Sequence, residues 1–398
     1  MPFFAVLCRF FLPFLSAVFP PFFSAVFRIQ RSAFCVQRFL MFSPWPRKQT
    51  RPVRVGDVQI GGGAAVSVQT MTKTNTADAE ATVDQVRRAA AAGADIVRVA
   101  VPNDAAAAAF GRIVEGSPAP IVADIHFDYR LAVSAAESGA AKLRINPGNI
   151  GDDRKVGAVV DAARAAGIPI RVGVNSGSVE KDLLAKYGHP CAEALCESAL
   201  RSVARLEKLQ FEDIVVSIKA SDVARTVGAN RLFAEKSQYP LHLGITEAGF
   251  GESGIIKSSC GLAILLAEGI GDTLRVSLTD SPVDEVRTGR QILMSLGLLS
   301  GPQLVSCPTC GRCKQDMTPI TRTVAEALST VHSPLIVAVM GCEVNGPGEA
   351  READIGLAAG GKSAVLFRRG EQLGTWPVAE AVERLIDEMR RMDTDTLE

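Results

Sequence analysis

What this chain lacks narrows what it does. It has no net charge: 43 Lys and Arg balance 43 Asp and Glu, and the pI is near 6.9. That excludes a chain-wide basic surface for nucleic acid, so an anionic ligand has to be met by local basic residues. No glycine-rich dinucleotide fingerprint follows the first expected strand, which weighs against a Rossmann cofactor site. The nine Cys are odd in number and lack the spacing of a small disulfide-stapled domain, which fits a reducing, cytoplasmic compartment. No Asp or Glu occurs before Asp57, twelve of the eighteen Phe lie before position 43, and Pro13, Pro20 and Pro21 interrupt the apolar run from Phe10 to Phe27. That run barely reaches bilayer length, and a Pro pair inside it disfavours a continuous helix, so no membrane span is expected. A signal peptide lacks a clear small-residue cleavage site, and an acid-free, Arg-containing leader also suits an organellar transit peptide. The preferred reading of residues 1–50 is a non-native or disordered extension, with Met41 a plausible start.

From about 52 to 300 one pattern repeats. Short apolar, β-branched runs at 66–69, 95–99, 120–124, 142–145, 169–174, 213–218, 241–245 and 273–278 alternate with Ala-rich segments of helical period, such as 79–92, 152–166, 192–208 and 283–296. Gly93, Gly139 and Gly167 stand where helix C-termini are expected. Eight βα units in one stretch predict an α/β fold, a closed (β/α)8 TIM barrel over 51–300, whose site forms at the C-terminal ends of the strands. Those ends carry Arg98, His126, Arg144, Arg171 with Asn175, Lys219, His242 with Glu247, and Arg275 with Ser277. Arg forks match phosphate oxygens bidentately, so four Arg and a Lys converging on one mouth predict a small, highly anionic ligand, a diphosphate by preference. His126 reads either as a general acid or as a hydrogen-bonding strand end, and Glu247 either as a proton donor or as an ion-pair partner of the Arg cluster.

Residues 301–398 read as a smaller α+β unit: a helix at 321–329, strands at 334–340, 354–358 and 363–367, an amphipathic helix at 378–392, and a fraying polar tail. It holds Cys307-Pro-Thr-Cys310-Gly-Arg-Cys313 and Gly341-Cys342-Glu343-Val-Asn345-Gly-Pro-Gly-Glu349. Thiols at this spacing turn toward one centre, and Gly and Pro let the backbone wrap it. An iron–sulfur cluster, a structural zinc, a redox dithiol and inert buried thiols all compete; the spacing favours the cluster. Its ligands are either Cys307, Cys310, Cys313 and Cys342, suiting electron transfer, or three Cys with a harder, exchangeable oxygen ligand from Glu349, suiting catalysis.

The motifs Val68-Gln-Thr-Met-Thr72, Ala123-Asp-Ile-His-Phe127, Arg144-Ile-Asn-Pro-Gly-Asn149, Gly173-Val-Asn-Ser-Gly-Ser178, Thr246-Glu-Ala-Gly249, Ser306-Cys-Pro-Thr-Cys-Gly-Arg312 and Asn345-Gly-Pro-Gly-Glu349, among others in unbroken order, resemble the bacterial 4-hydroxy-3-methylbut-2-enyl diphosphate synthases of isoprenoid precursor biosynthesis. The resemblance implies a barrel followed by a [4Fe-4S] domain with one cluster per chain. It further implies a homodimer in which the cluster of one subunit caps the other's barrel mouth, and flavodoxin or ferredoxin as electron donor. The implied reaction opens and dehydrates 2-C-methyl-D-erythritol 2,4-cyclodiphosphate with two electrons. Carried over by motif, Cys307, Cys310, Cys342 and Glu349 ligate the cluster; Arg98, Arg144, Arg171, Asn175, Lys219, Arg275 and Ser277 hold the diphosphate. Glu247, with His126 or His242, manages protons, and Asn345 positions the reacting hydroxyl. Cys313 and Glu343 depart from the family pattern and are read as bystanders.

Overall fold

A computed structural model of the chain describes residues 45–342 and 344–397, so the extension reading, Met41 and Glu343 lie outside the described residues.

The chain first makes a hairpin that the sequence pattern did not announce: β1 (Val53–Val55) and β2 (Val58–Ile60) pair antiparallel around Gly56-Asp57, Gly56 supplying a φ of 60° for the tight turn. Eight parallel strands follow, β3 (Ser67–Met71), β4 (Ile96–Ala100), β5 (Ile121–Asp124), β6 (Lys142–Ile145), β7 (Ile170–Asn175), β8 (Ile214–Lys219), β9 (His242–Leu243) and β10 (Thr273–Leu274). They are ordered β8-β7-β6-β5-β4-β3-β10-β9. A parallel bridge between Val216 and Leu241, with Val216 N–H donating to Pro240 O at 2.9 Å, brings β8 to β9 and closes the ring. The expected barrel is what the chain forms.

Its helices begin where short polar side chains satisfy free backbone N–H groups. Asp78 accepts from Ala81 N ahead of α1 (Ala79–Ala91), Asn103 from Ala106 N ahead of α2 (Asp104–Gly116), and Asp152 from Lys155 N ahead of the helix at Asp153–Ala166. Ser281 does the same for Pro282–Ser295.

Strand alternation sorts side chains into two environments. Val97, Val99, Leu143, Ile145, Ile170, Val172, Leu241 and Leu243 pack outward under the helices in one continuous core. Each such side chain contributes about 1.5–3 kcal/mol on full burial. The alternate residues point into the barrel. At its base Ile96, Val122 and Val215 meet Val53, Val55 and Ile60 of the hairpin in a separate apolar plug. Above that plug the inward residues turn polar.

The C-terminal part forms a five-stranded sheet, β11 (Gln303–Ser306), β12 (Ile336–Met340), β13 (Ile355–Ala359), β14 (Ser363–Arg368) and β15 (Glu371–Pro377), in that order, with β11 to β13 parallel and β13 to β15 antiparallel. It has its own core, in which Val337, Val339, Leu357 and Leu366 pack against Val324, Leu328, Leu385 and Met389. The fraying expected of the tail is corrected: the terminal helix runs Val378–Leu397. Asp393 anchors it by accepting from the His332 and Ser333 N–H groups at 3.1 and 2.8 Å. No helix among the described residues is long and apolar enough to cross a membrane.

Candidate active site

Parallel register stacks the inward residues of adjacent strands, with Met71 beside Arg98, Asp124 beside Arg144, and Arg144 beside Arg171. All three Arg are nearly inaccessible, at 9%, 6% and 1% exposure. Charges so deeply buried need partners. Asp124 is the central one: Arg144 Nη1 donates to its Oδ1 at 3.0 Å, and Arg98 Nε lies 3.8 Å from its Oδ2. Burial pushes the Asp124 carboxyl up, but Arg98, Arg144, His126 and Arg171 outweigh it and hold the group down at about 2. Burial lowers Arg98 to about 10, and burial together with the other guanidiniums lowers Arg171 and Lys219 as well.

Arg275 has a second carboxylate, Glu285, which is 1% exposed. Nη2 and Nε of Arg275 donate to it at 3.1 Å, Thr70 Oγ1 at 2.8 Å and Leu278 N at 3.1 Å, and Lys73 Nζ lies 3.2 Å away. Neither Asp124 nor Glu285 was among the sequence-derived site residues. An acid ending an apolar strand, as in Ile121-Val122-Ala123-Asp124, was the available signal for the first. Glu285 sits in an ordinary acidic first helical turn and had none.

Two glycines make room. A Cβ on Gly173 would lie 2.6 Å from Arg144 Nε, and one on Gly244 would lie 2.7 Å from Lys219 Nζ. Gly173 within β7 and Gly244 just after β9 are close-approach positions.

The two carboxylates leave the cationic cluster undersupplied. Arg171 Nε and Nη1, Arg98 Nε and Arg144 Nε are buried without a hydrogen-bond partner among the described residues. Cations gathered with spare donors are complementary to a multiply charged anion. Asn175 ends β7, half-buried, with its N–H donating to Ser178 Oγ at 3.1 Å, and Ser277 is half-buried just beyond Arg275.

The predicted proton-transfer residues separate. His126 stands at the rim, and its Nε2 lies 2.9 Å from Arg144 Nη1. A guanidinium only donates, so Nε2 accepts and the ring is neutral; burial lowers the His126 pKa, in keeping with this. His242 is fully buried inside the barrel, pushed well below the usual imidazole range by burial and then by Arg171, Lys219 and Lys142. Glu247 is exposed and holds a φ of 55°, a left-handed conformation that side-chain-bearing residues adopt at a cost. It makes no ion pair with the Arg cluster among the described residues.

In the C-terminal sheet, β11 and β12 run parallel and end together, which delivers Cys307 and then Gly341-Cys342 to one edge, Cys307 N–H donating to Val339 O at 2.9 Å. The backbone N–H groups of Asn345 and Val344 lower the Cys342 thiol, and the backbone and then the side chain of Arg312 lower Cys310. Cys313 differs: burial and the Cys307 thiol raise it, and its Sγ donates to Gly341 O at 3.0 Å. A Cβ on Gly341 would overlap that sulfur. Among the described residues no three His, Cys, Asp or Glu side chains close around a metal position. Glu349 and Asn345 are exposed on the loop and first turn of Gly346–Glu352. The donor set nonetheless suits an iron–sulfur group, since it combines soft thiols, two of them lowered, with N–H groups aimed at sulfur.

The chain is similar in sequence to known proteins over both of its parts. Residues 50–290 match the GcpE TIM-barrel domain, and residues 303–391 match the GcpE protein C-terminal domain. The 4-hydroxy-3-methylbut-2-en-1-yl diphosphate synthase (flavodoxin) of Geobacter sulfurreducens is 56% identical over 347 residues, which is 87% of this chain and 98% of that protein. The enzyme of the same name from Aquifex aeolicus is 53% identical over 350 residues, 88% of this chain and 98% of that protein. With both domains matched in order and the similarity spanning nearly the whole of these relatives, the chain belongs to the GcpE family.

Proposed function

We propose that this chain carries out the reductive ring opening and dehydration of 2-C-methyl-D-erythritol 2,4-cyclodiphosphate to (E)-4-hydroxy-3-methylbut-2-enyl diphosphate. Two electrons and two protons enter, one C–O bond of the ring breaks at the diphosphate and a hydroxyl leaves as water. Flavodoxin is the donor, as the relatives' name says of them. The observation that carries the reading is the cationic mouth, in which Arg98, Arg144 and Arg171 are buried with spare donors beside Lys219 and Arg275.

Arg98, Arg144, Arg171 and Arg275 grip the diphosphate oxygens, and Asp124 and Glu285 hold the forks in place so that little order has to be gained on binding. Lys219 adds a point charge, and Asn175 and Ser277 add neutral donors at the rim. His126 is committed to Arg144 through Nε2, and His242 lies deep inside the barrel, away from the rim. Glu247, exposed on its strained turn, gives a proton to the departing hydroxyl; its exposure at the mouth supports this role. Cys307, Cys310 and Cys342 with Glu349 are the residues that would hold one [4Fe-4S] cluster. That group would pass on, one at a time, the electrons from flavodoxin that the C–O cleavage needs. Asn345 positions the reacting hydroxyl, and a homodimer brings the cluster of one subunit to the barrel of the other.

The test is anaerobic turnover of the cyclodiphosphate with reduced flavodoxin, following product by mass spectrometry. Wild-type protein is expected to form the linear diphosphate. Glu247→Gln is expected to lose turnover by about a hundredfold or more, the range of a general acid, with its iron content unchanged. Iron-loaded wild type that forms no product would refute the activity, and E247Q at full rate would remove Glu247 from the mechanism.

A further inference from the structure

Beneath the mouth lies a second polar tier, in which Lys142 is the member that neither the family motifs nor the strand-end pattern identified. Leu143, Ile170, Val172, Leu241 and Leu243 belong to the outer core, so their neighbours Lys142, Arg171 and His242 point into the barrel. Gln69 does the same between Val68 and Thr70. Lys142 and His242 are 0% exposed and Gln69 1%. The apolar plug of the hairpin with Ile96, Val122 and Val215 closes the tier from below.

The polar atoms of this tier are idle. Lys142 Nζ, His242 Nε2, both amide atoms of Gln69, and Arg171 Nε and Nη1 have no hydrogen-bond partner among the described residues. No ion pair neutralises Lys142 among the described residues, and its strong electrostatic neighbours are Arg171 and Arg98, both cationic. His242 Nδ1 has one weak contact, 3.5 Å from Thr273 Oγ1. A fully buried Lys with only cations around it costs stability in the empty protein. Something has to offset that cost when the site is in use.

We propose that Lys142, with His242 and Gln69, is the floor of the anion site, binding the deeper phosphoryl group of the diphosphate below the tier of Arg98, Arg144 and Arg275. This rests on the diphosphate reading above and adds a binding tier to it. Arg171 joins the two tiers, its free Nε and Nη1 reaching the same anion that Lys142 meets from the base. The stem of Lys142 begins beside Val122 of the plug, its partner in register.

The proposal predicts effects of opposite sign from one substitution. Lys142→Met removes a buried amino group that has no hydrogen-bond partner among the described residues, so the ligand-free protein should melt at a higher temperature than wild type, while its affinity for inorganic pyrophosphate falls about tenfold, the worth of one charge-assisted hydrogen bond. Thermal melts without ligand and calorimetric titration with pyrophosphate, on full-length protein, read both. Undiminished pyrophosphate affinity in K142M, or loss of stability and affinity together, overturns the floor. If K142M does not fold, Lys142→Gln gives the same comparison: about tenfold weaker pyrophosphate binding supports the floor and wild-type affinity overturns it. Turnover of the cyclodiphosphate by the same wild-type preparation separates the two readings. A wild type that turns over beside a K142M of full affinity refutes only the floor; a wild type that binds pyrophosphate through Lys142 but forms no product refutes only the activity.

Discussion

Arg275 and Glu285 face each other as a two-pronged pair at 3.1 Å, the carboxylate 1% exposed and also gripped by Thr70 and the Leu278 N–H. The pair ties β3, the end of β10 and the loop carrying Ser277 to one helix, Pro282–Ser295. Glu285 touches no expected ligand position; it sets where Arg275 points.

Glu285→Gln should therefore act through Arg275. Breaking a buried ion pair while leaving its cation in place costs about 3–5 kcal/mol of stability. Urea unfolding should show that loss, and steady-state kinetics should show KM for the cyclodiphosphate raised more than kcat is lowered. An unchanged KM would mean that Arg275 keeps its aim without the carboxylate.

Asp124 makes stability fall in acid. Its folded pKa, about 2, is depressed below the unfolded value near 3.9, so its contribution is fully present above about pH 4 and is lost as pH falls through about 2. The difference corresponds to about 2–3 kcal/mol. Urea midpoints of wild type and Asp124→Asn between pH 2 and 6 should differ most above pH 4 and converge toward pH 2. A constant gap across that range would show that the pairing with Arg98 and Arg144 does not depend on the charge of Asp124.

Gly173→Ala tests the close approach of Arg144. The new methyl would fall 2.6 Å from Nε and 2.8 Å from Nη2 of a side chain held by Asp124 and His126. The guanidinium has to move, so the expected result is about tenfold weaker pyrophosphate binding with a melting temperature within a few degrees of wild type. Unchanged affinity would mean that Arg144 does not contact the anion.

Cys313 and Cys342 should behave differently. Cys313→Ser keeps a donor for Gly341 O and should retain about four iron per chain, whereas Cys342→Ser should lose most of its iron. Iron and sulfide analysis after anaerobic purification decides it. Iron loss in C313S would make Cys313 a ligand and the cluster an all-thiolate one.

Features set by neighbours in sequence could be read directly. Eight apolar runs became eight strands because a β-branched run between helical segments has a strong local preference, and most boundaries agree within a residue or two. β9 and β10 are shorter than expected, two residues each, because the ladder ends at Gly244, where the missing side chain lets Lys219 Nζ and the Arg275 carbonyl close in. The hairpin at 53–60 and strands β11 and β15 were missed: the first is two three-residue strands around Gly56-Asp57, β11 is only Gln-Leu-Val-Ser, and β15, Glu-Gln-Leu-Gly-Thr-Trp-Pro, is mostly exposed and lacks the apolar alternation of a core strand.

The sequence by itself determined the barrel, the cationic strand ends and the grouping of thiols, since period, residue type and spacing are local properties. Only the tertiary structure decided which charges are paired. Glu285 reaches Thr70 across 215 positions, and Arg144 reaches Asp124 across 20, through a closed ring that no window of sequence contains. The same closure buried Lys142, Arg171 and His242 with spare donors. Desolvation depends on what surrounds a side chain on every side, and that surrounding exists only once the strands have met.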